Sequence, residues 1–293
     1  MIRKQETRAG YLFLLPWLIG FFCLTVIPMI ASLYFSFTSY DMINPPKWTG
    51  IQNYVNMFAD VKFRHSLRVT FTFVLLGVPL QLVFALLLAV LFKRDRPGIR
   101  FFRAAYYLPS LFGSSIAVAS LWRQLFNKTG LINQALTALG FISKKNWIAS
   151  PDTAIYTLIL LQIWQFGASM VIFLSALKQI PVDYYEAATI DGAGKVKQFF
   201  RITLPLLTPM VFFNIVMQFI NAFQSFTPAY IISAGTGGPM NSTLFYTLNI
   251  YLQGFSYFKM GYACALAWFL LLIIGAFTGL IFGSSRKWVY YDR

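Results

Sequence analysis

Acidic side chains are scarce in this chain: nine Asp and Glu among 293 residues, against 24 Lys and Arg. Histidine occurs once and cysteine twice. Metal sites and acid–base pairs are drawn from these residue types, so no metal-ligand spacing can be assembled. His65 stands alone in a stretch that reads as a polar loop, and is expected to be a solvated surface residue. Cys23 and Cys264 both fall inside apolar runs, where cysteine behaves as a small hydrophobe, and no disulfide is expected. Charge of either sign is also thin. Charged residues make up 11% of the chain, against about 25% in soluble domains, which is too little to cover a water-soluble protein of this length. The net charge of +15 would suit nucleic acid only if the bases formed one water-exposed patch. Here they sit between long uncharged runs, so no nucleic-acid partner is expected.

What the chain has instead is apolar length. A bilayer core about 30 Å thick needs roughly 20 mostly apolar residues in a helix. Uncharged stretches occur at Tyr11–Phe37, Val69–Phe92, Ala104–Trp122, Thr153–Leu177 and Met260–Ser285, and a longer one begins at Ile202. The last is split near Ile232, because Ser233 to Pro239 is turn chemistry. The fold class that follows is all-α: a polytopic membrane protein with six transmembrane helices. The first run exceeds the usual 7–15-residue core of a signal peptide and lacks a small-x-small cleavage site, so it is expected to stay. Pro16 and Pro28 lie inside it, as membrane helices tolerate.

Lys and Arg in alternate loops set the direction. The N-terminus, residues 93–103, residues 178–201 and the C-terminus hold fifteen of them; the other loops hold nine. The richer set is cytoplasmic, which places both termini inside. The expected organisation is a cytoplasmic N-terminus at 1–10, a six-helix membrane domain at 11–285 with a cytoplasmic loop at 181–200, and a cytoplasmic C-terminus at 286–293.

No acidic residue falls within a span core. Ion-coupled carriers usually place ionisable groups inside the membrane, although backbone carbonyls alone hold sodium in some. Gly192-Ala193-Gly194-Lys195 resembles a phosphate loop only superficially: the earlier glycine position is Thr189, the following position is Val196, and no strand precedes. Any energy from ATP must come from another subunit.

The cytoplasmic loop between the fourth and fifth spans reads EAATIDGAGKVKQFFRITLPLLTP from Glu186 to Pro209. Pro181 suits a first helical position, Asp183 the first turn, and Gly192 a left-handed helix end. A second short amphipathic piece follows, with Val196, Phe199 and Phe200 available to dock, and Pro205 and Pro209 open the fifth span. Read from physics alone, this is equally a solvated connector with an incidental helix.

Glu186-Ala187-Ala188, Asp191-Gly192-Ala193 and Ile202-Thr203-Leu204-Pro205 together resemble the "EAA" motif of permease subunits in binding-protein-dependent ABC importers. Further likeness to the carbohydrate branch, of the maltose-permease kind, lies in Trp48–Tyr54, Arg100–Pro109, Trp122–Phe126 and Gly237–Thr243, with Ile250-Tyr251 and Gly254-Phe255 beyond. The extra N-terminal spans and large external domain of maltose-type permeases are not matched. The resemblance implies a type I importer permease in a bacterial inner membrane. It implies that Glu186, Ala187, Ala188, Asp191, Gly192 and Ala193 form a helix seated in a cleft of an ATPase. It also implies partners: a second homologous permease, a cytoplasmic ATPase dimer and an external sugar-binding protein. The chain is then a non-catalytic subunit without a cofactor of its own, ATP and magnesium belonging to the ATPase.

Neutral polar residues inside spans suggest where a solute touches. Asn214, Gln218, Asn221 and Ser225 are spaced to share one helical face, as are Gln162, Gln165 and Ser169 in the fourth span. Such amides also serve as hydrogen-bonding links between packed helices, worth about 0.6–2 kcal/mol each. The sharper expectation is a central cavity where they meet sugar hydroxyls, since uncharged groups suit a neutral polyol better than an ion. Gln81 in the second span stands alone and reads as structural. A secondary carrier, a membrane transferase and an importer for a phosphorylated polyol are the competing readings.

Overall fold

The computed structural model describes residues 13–94, 97–113, 115–141 and 145–290. The expected cytoplasmic segment at 1–10, the first two residues of the first span and the last three of the C-terminal segment lie outside the described residues. In chain order the helices begin with α1 (Phe13–Ser36), α2 (Gln52–Ala59), α3 (Val61–Phe92), α4 (Ile99–Phe112), α5 (Ile116–Leu125) and α6 (Leu131–Ala138). They continue with α7 (Pro151–Trp164), α8 (Gly167–Gln179), α9 (Asp183–Ile190), α10 (Lys195–Gln198), α11 (Leu204–Phe223), α12 (Thr227–Ile232), α13 (Tyr246–Tyr251) and α14 (Met260–Trp288). Among the described residues the only sheet is a hairpin of β1 (Thr38–Ser39) and β2 (Lys47–Trp48), antiparallel with Thr38 opposite Trp48.

Five helical runs are long and apolar enough to cross a bilayer, and a sixth counts if α4 and α5 make one span. The protein is therefore an all-α, polytopic membrane protein. The apolar face of α1 stays open, with Leu24 80% exposed, as lipid rather than protein solvates such a surface.

The spans depart from straight, isolated rods in several places. Helix α3 starts at Val61 rather than Val69, because a helix keeps its backbone bonded while Lys62, Arg64 and Arg68 extend towards water. His65 accordingly sits in a helix and not in a loop; it is half-buried, and its Nε2 is shielded from solvent with no hydrogen-bond partner among the described residues. Helices α4 and α5 meet at 100°, so 104–122 is not a single straight span. The fourth span breaks at Gln165–Phe166, between α7 and α8.

The fifth crossing does not begin at Pro205. Helix α10 runs through a π-helical turn, Phe199–Thr203, directly into α11, and the Leu204 amide reaches back to Phe199 O. Proline has no N–H to offer the preceding turn, and a wide turn just before it absorbs the mismatch. The same device, Phe22–Val26, precedes Pro28 in α1. The crossing then breaks at Gln224–Phe226 and resumes as α12. Pro228 cannot donate to Gln224 O, which accounts for the break.

The chain divides into two compact units. The first comprises residues 1–60 and 250–272. There the Asn53 amide donates to Ser36 O (2.9 Å) and Thr38 O (2.8 Å), pinning α2 beneath the end of α1. The Gly261 amide donates to Tyr40 O (3.0 Å), and the Tyr262 hydroxyl to Asp60 Oδ2 (2.9 Å). Both cysteines are free, Cys264 buried and Cys23 exposed.

The second unit comprises residues 61–249 and 273–293. Its centre is α3, which packs against α7, α8 and α11. Phe63, Phe73, Val78 and Ala85 of α3 are buried together with Leu158, Leu161, Phe173 and Leu177 of the fourth span. Phe73 meets Phe245 at 4.6 Å between ring centres, and the buried Thr70 hydroxyl accepts from the Tyr246 amide at 2.8 Å.

Candidate functional site

Within the second unit lies a cavity of about 460 Å³. It is lined by the amides of Gln81, Gln162, Gln165, Gln218, Asn221 and Gln224 and by the hydroxyls of Ser110, Ser225 and Thr227, with Ala168, Phe226 and Pro228. Among the described residues no charged side chain lines it. The volume is of the size that holds a small organic ligand.

Helix breaks produce this surface. At a break the last carbonyls lose their intrahelical donors and must find others. Gly113, at the end of α4, offers its carbonyl to Gln165 Nε2 at 3.2 Å. Gln165, at the end of α7, offers its own carbonyl to Gln81 Nε2 at 3.0 Å. Ser225, just past α11, accepts from the Thr247 hydroxyl. Irregular backbone at membrane depth is tolerated where it borders a polar cavity, and three breaks border this one.

Five of the six expected pathway residues line the cavity: Gln162, Gln165, Gln218, Asn221 and Ser225. Asn214 does not; it is 1% exposed, and its amide donates to Met210 O on its own helix (2.9 Å). Ser225 arrives by a different route from the expected helical stripe, since it lies in the break. Ser169 sits beside the wall, accepting from Gln218 Nε2 at 3.1 Å. Gln81 is not alone: it is 2% exposed, lines the cavity, and bonds to both Gln162 and Gln165. Ser110, Gln224 and Thr227 were not legible as lining residues. The signal that existed was Thr227-Pro228, a breaker inside the expected fifth span.

The second candidate region is the loop at 181–200. Helix α9 starts at Asp183, with Val182 as its N-cap, so Pro181 precedes the helix rather than opening it. Asp183 and Glu186 occupy the first turn, where the positive end of the helix dipole favours them. Gly192 ends the helix with φ +73°. Its amide bonds to Thr189 O (3.0 Å) and that of Ala193 to Ala188 O (2.8 Å), a Schellman closure that needs the left-handed residue. Glu186, Ala187, Asp191 and Gly192 are exposed, while Ala188 and Ala193 are half-buried.

The loop is tied back to the helices behind it. The Tyr185 hydroxyl shares a hydrogen bond with Thr203 Oγ1 at 2.9 Å, and Lys93 Nζ sits 4.3 Å above the Tyr185 ring. Gln198 Nε2 donates to Ala193 O (2.9 Å) and Thr189 Oγ1 (3.0 Å). Its outer surface is apolar to an unusual degree: Ile190 is 87% exposed and Val196 72%. Phe200 is exposed as well, while Phe199 is half-buried.

Comparison with known proteins gives these features a family. Residues 57–289 match the family described as "Binding-protein-dependent transport system inner membrane component". The chain is 52% identical over 290 residues to the probable ABC transporter permease protein YesP of Bacillus subtilis, covering 99% of this chain and 94% of the relative. It is 31% identical to the lactose transport system permease protein LacF of Rhizobium radiobacter, over 98% and 97% of the two chains. A bacterial ABC transporter involved in the import of the acidic polysaccharide alginate has the same fold, with a TM-score of 0.79, 22% identity and 98% of each chain covered. The chain therefore belongs to the binding-protein-dependent ABC permease family, as a non-catalytic, multi-pass membrane subunit whose ATPase activity resides in a separate subunit.

Proposed function

We propose that this chain is the translocation subunit of an importer for a neutral sugar or oligosaccharide, delivered by an external solute-binding protein. The observation that carries this reading is the uncharged cavity of amides and hydroxyls at the breaks of the spans. Gln162, Gln165, Gln218, Asn221 and Ser225 would contact the solute. Relatives named for lactose, for trehalose and maltose, and for arabinooligosaccharides support the substrate class. A relative named for sn-glycerol-3-phosphate transport marks the alternative of a phosphorylated polyol. The cavity has no cation among its lining residues to meet a phosphate, which favours the neutral solute.

In this reading the membrane domain has six crossings with both termini cytoplasmic, as the Lys and Arg bias suggests. A second homologous permease completes the pathway. The loop at 181–200 enters an ATPase of two subunits, with Glu186, Ala187, Ala188, Asp191, Gly192 and Ala193 at the contact. Large apolar side chains left open outside the membrane mark such contact surfaces. Closure of the ATPase would move α9, and through Tyr185, Thr203 and Gln198 the base of the fifth crossing.

The test is reconstitution with the second permease, the ATPase and the binding protein, followed by uptake and ATPase assays with maltose, trehalose, lactose and arabinotriose. One or more of these sugars stimulates ATP hydrolysis and accumulates. Uptake driven by an ion gradient without the ATPase would overturn the reading.

A further inference from the structure

Hydrogen-bond accounting in the cavity goes beyond its lack of charge. A backbone carbonyl accepts and never donates, so a side-chain amide facing one must turn its nitrogen to it. Gln165 faces Gly113 O and therefore presents Nε2 there (3.2 Å). Gln81 faces Gln165 O and presents Nε2 there (3.0 Å). Its Oε1 then points to Gln162, which must present its own Nε2 (2.8 Å). Ser110 follows the same logic: its hydroxyl proton is committed to Tyr107 O at 2.7 Å.

Two orphaned carbonyls thus fix the sense of three amides: Gly113 O that of Gln165, and Gln165 O that of Gln81 and through it Gln162. The buried Gln81 has its carbonyl and one N–H committed to the protein. Gln162 and Gln165 each keep one N–H and their Oε1 atom, and Ser110 keeps its oxygen lone pairs, with no donor bonded to these oxygens among the described residues. All three residues line the cavity. Acceptors that face a polar cavity gain from a ligand that brings protons to them, because a ligand that covers them without a bond leaves the group desolvated and unpaired.

We infer that the cavity reads its ligand's hydroxyl hydrogens through the Gln162, Gln165 and Ser110 oxygens, and that Gln81 is the positioning residue that sets this polarity at Gln162. The inference rests on the sugar-pathway reading above and adds which side of each hydrogen bond the protein takes. Replacing Gln81 removes no direct contact to the ligand that its two committed groups could make. It does free Gln162 to turn over and leaves Gln165 O without its donor.

The experiment uses the complete reconstituted importer and whichever of maltose, trehalose, lactose and arabinotriose stimulates it most. Monodeoxy and monodeoxyfluoro analogues of that sugar are compared at each hydroxyl in the wild type, Gln162→Met and Gln81→Met. Fluorine retains the size of a hydroxyl and weak acceptor character, and has no proton to give. At one or more hydroxyls both analogues should raise the half-saturating concentration for uptake by about three- to tenfold in the wild type. That penalty should vanish in Gln162→Met and in Gln81→Met. The binding protein is the same throughout, so its own preference cancels in the comparison between variants.

Fluoro analogues that keep wild-type uptake where deoxy analogues lose it would show the ligand accepting, and would overturn the inference. So would Gln81→Met with the wild-type analogue pattern intact, even if it melted at a lower temperature, since that outcome marks a packing residue. If none of the four sugars is taken up, the sugar-pathway reading falls, and this inference with it.

Discussion

The cavity and the loop at 181–200 are built on opposite principles. The loop is local: helix, left-handed glycine and second helix lie within twenty-odd consecutive residues, and its internal bonds join near neighbours such as Ala193 and Ala188. The cavity is assembled from afar, with Gln162 bonding to Gln81 and Gln165 to Gly113 across separate spans. One therefore tolerates change elsewhere in the chain, whereas the other depends on how four spans are placed. The difference also separates their chemistry: the loop carries exposed acids and apolar side chains, the cavity neutral amides and hydroxyls.

Breaking the loop should have the largest effect. Glu186→Lys reverses the charge on its exposed face, and Gly192→Val forces a β-branched residue to φ +73°. That strain costs on the order of 1–3 kcal/mol. Both variants should lose the ATPase on co-purification and lose sugar-stimulated hydrolysis. Normal recovery of the ATPase with either variant would remove the loop from the interface.

Gly113→Ala comes next. An added Cβ would collide with the Gln165 side chain, so it should displace that amide and disturb the cavity without touching the loop. The expected readout is several-fold weaker uptake with the ATPase still bound. Gln218→Ala and Asn221→Ala should each raise the half-saturating sugar concentration by roughly two- to tenfold, the range of one lost hydrogen bond. Unchanged uptake kinetics in both would refute the pathway assignment.

Asn214→Leu sharpens the comparison from within the same helix. Asn214 shares the sequence stripe with Gln218 and Asn221, yet it is buried and bonded to Met210 O. Its replacement should change the half-saturating concentration by less than about twofold, a packing effect of similar volume. The smallest expected effect is that of pH. Among the described residues no titratable side chain lines the cavity, so the half-saturating concentration should stay flat from pH 6 to 8 when the ATPase rate is held saturating.

Much of this was legible in the sequence, for identifiable reasons. Runs free of charge longer than a bilayer is thick announce helices, and α1, α3 and α14 appear where those runs lie. The turn chemistry read at Ser233–Pro239 follows the end of α12 at Ile232, and Gly235 and Gly237 adopt positive φ there. Gly192 was readable because its conformational role depends on its immediate neighbours alone. The helix ends were less readable: Lys62, Arg64 and His65 looked like loop residues, but a helix carries charged side chains past the membrane edge.

The breaks at Gln165–Phe166 and Gln224–Phe226 were not foreseen, and they changed the meaning of several residues. Gln81 looked isolated because its two partners lie about eighty positions away in the chain. Ser225 and Asn214 looked equivalent because an unbroken helix would place them on one face.

The sequence by itself determined that this chain lives in a membrane, how many apolar runs it has, and where the short helix of the 181–200 loop ends. Those properties follow from hydrophobic length and nearest-neighbour backbone geometry, which any segment carries with it. Only the tertiary structure decided which amides face one another and which atom each presents. A buried carbonyl released by a helix break must find a donor, and the spans that happen to pack beside it supply the one it finds.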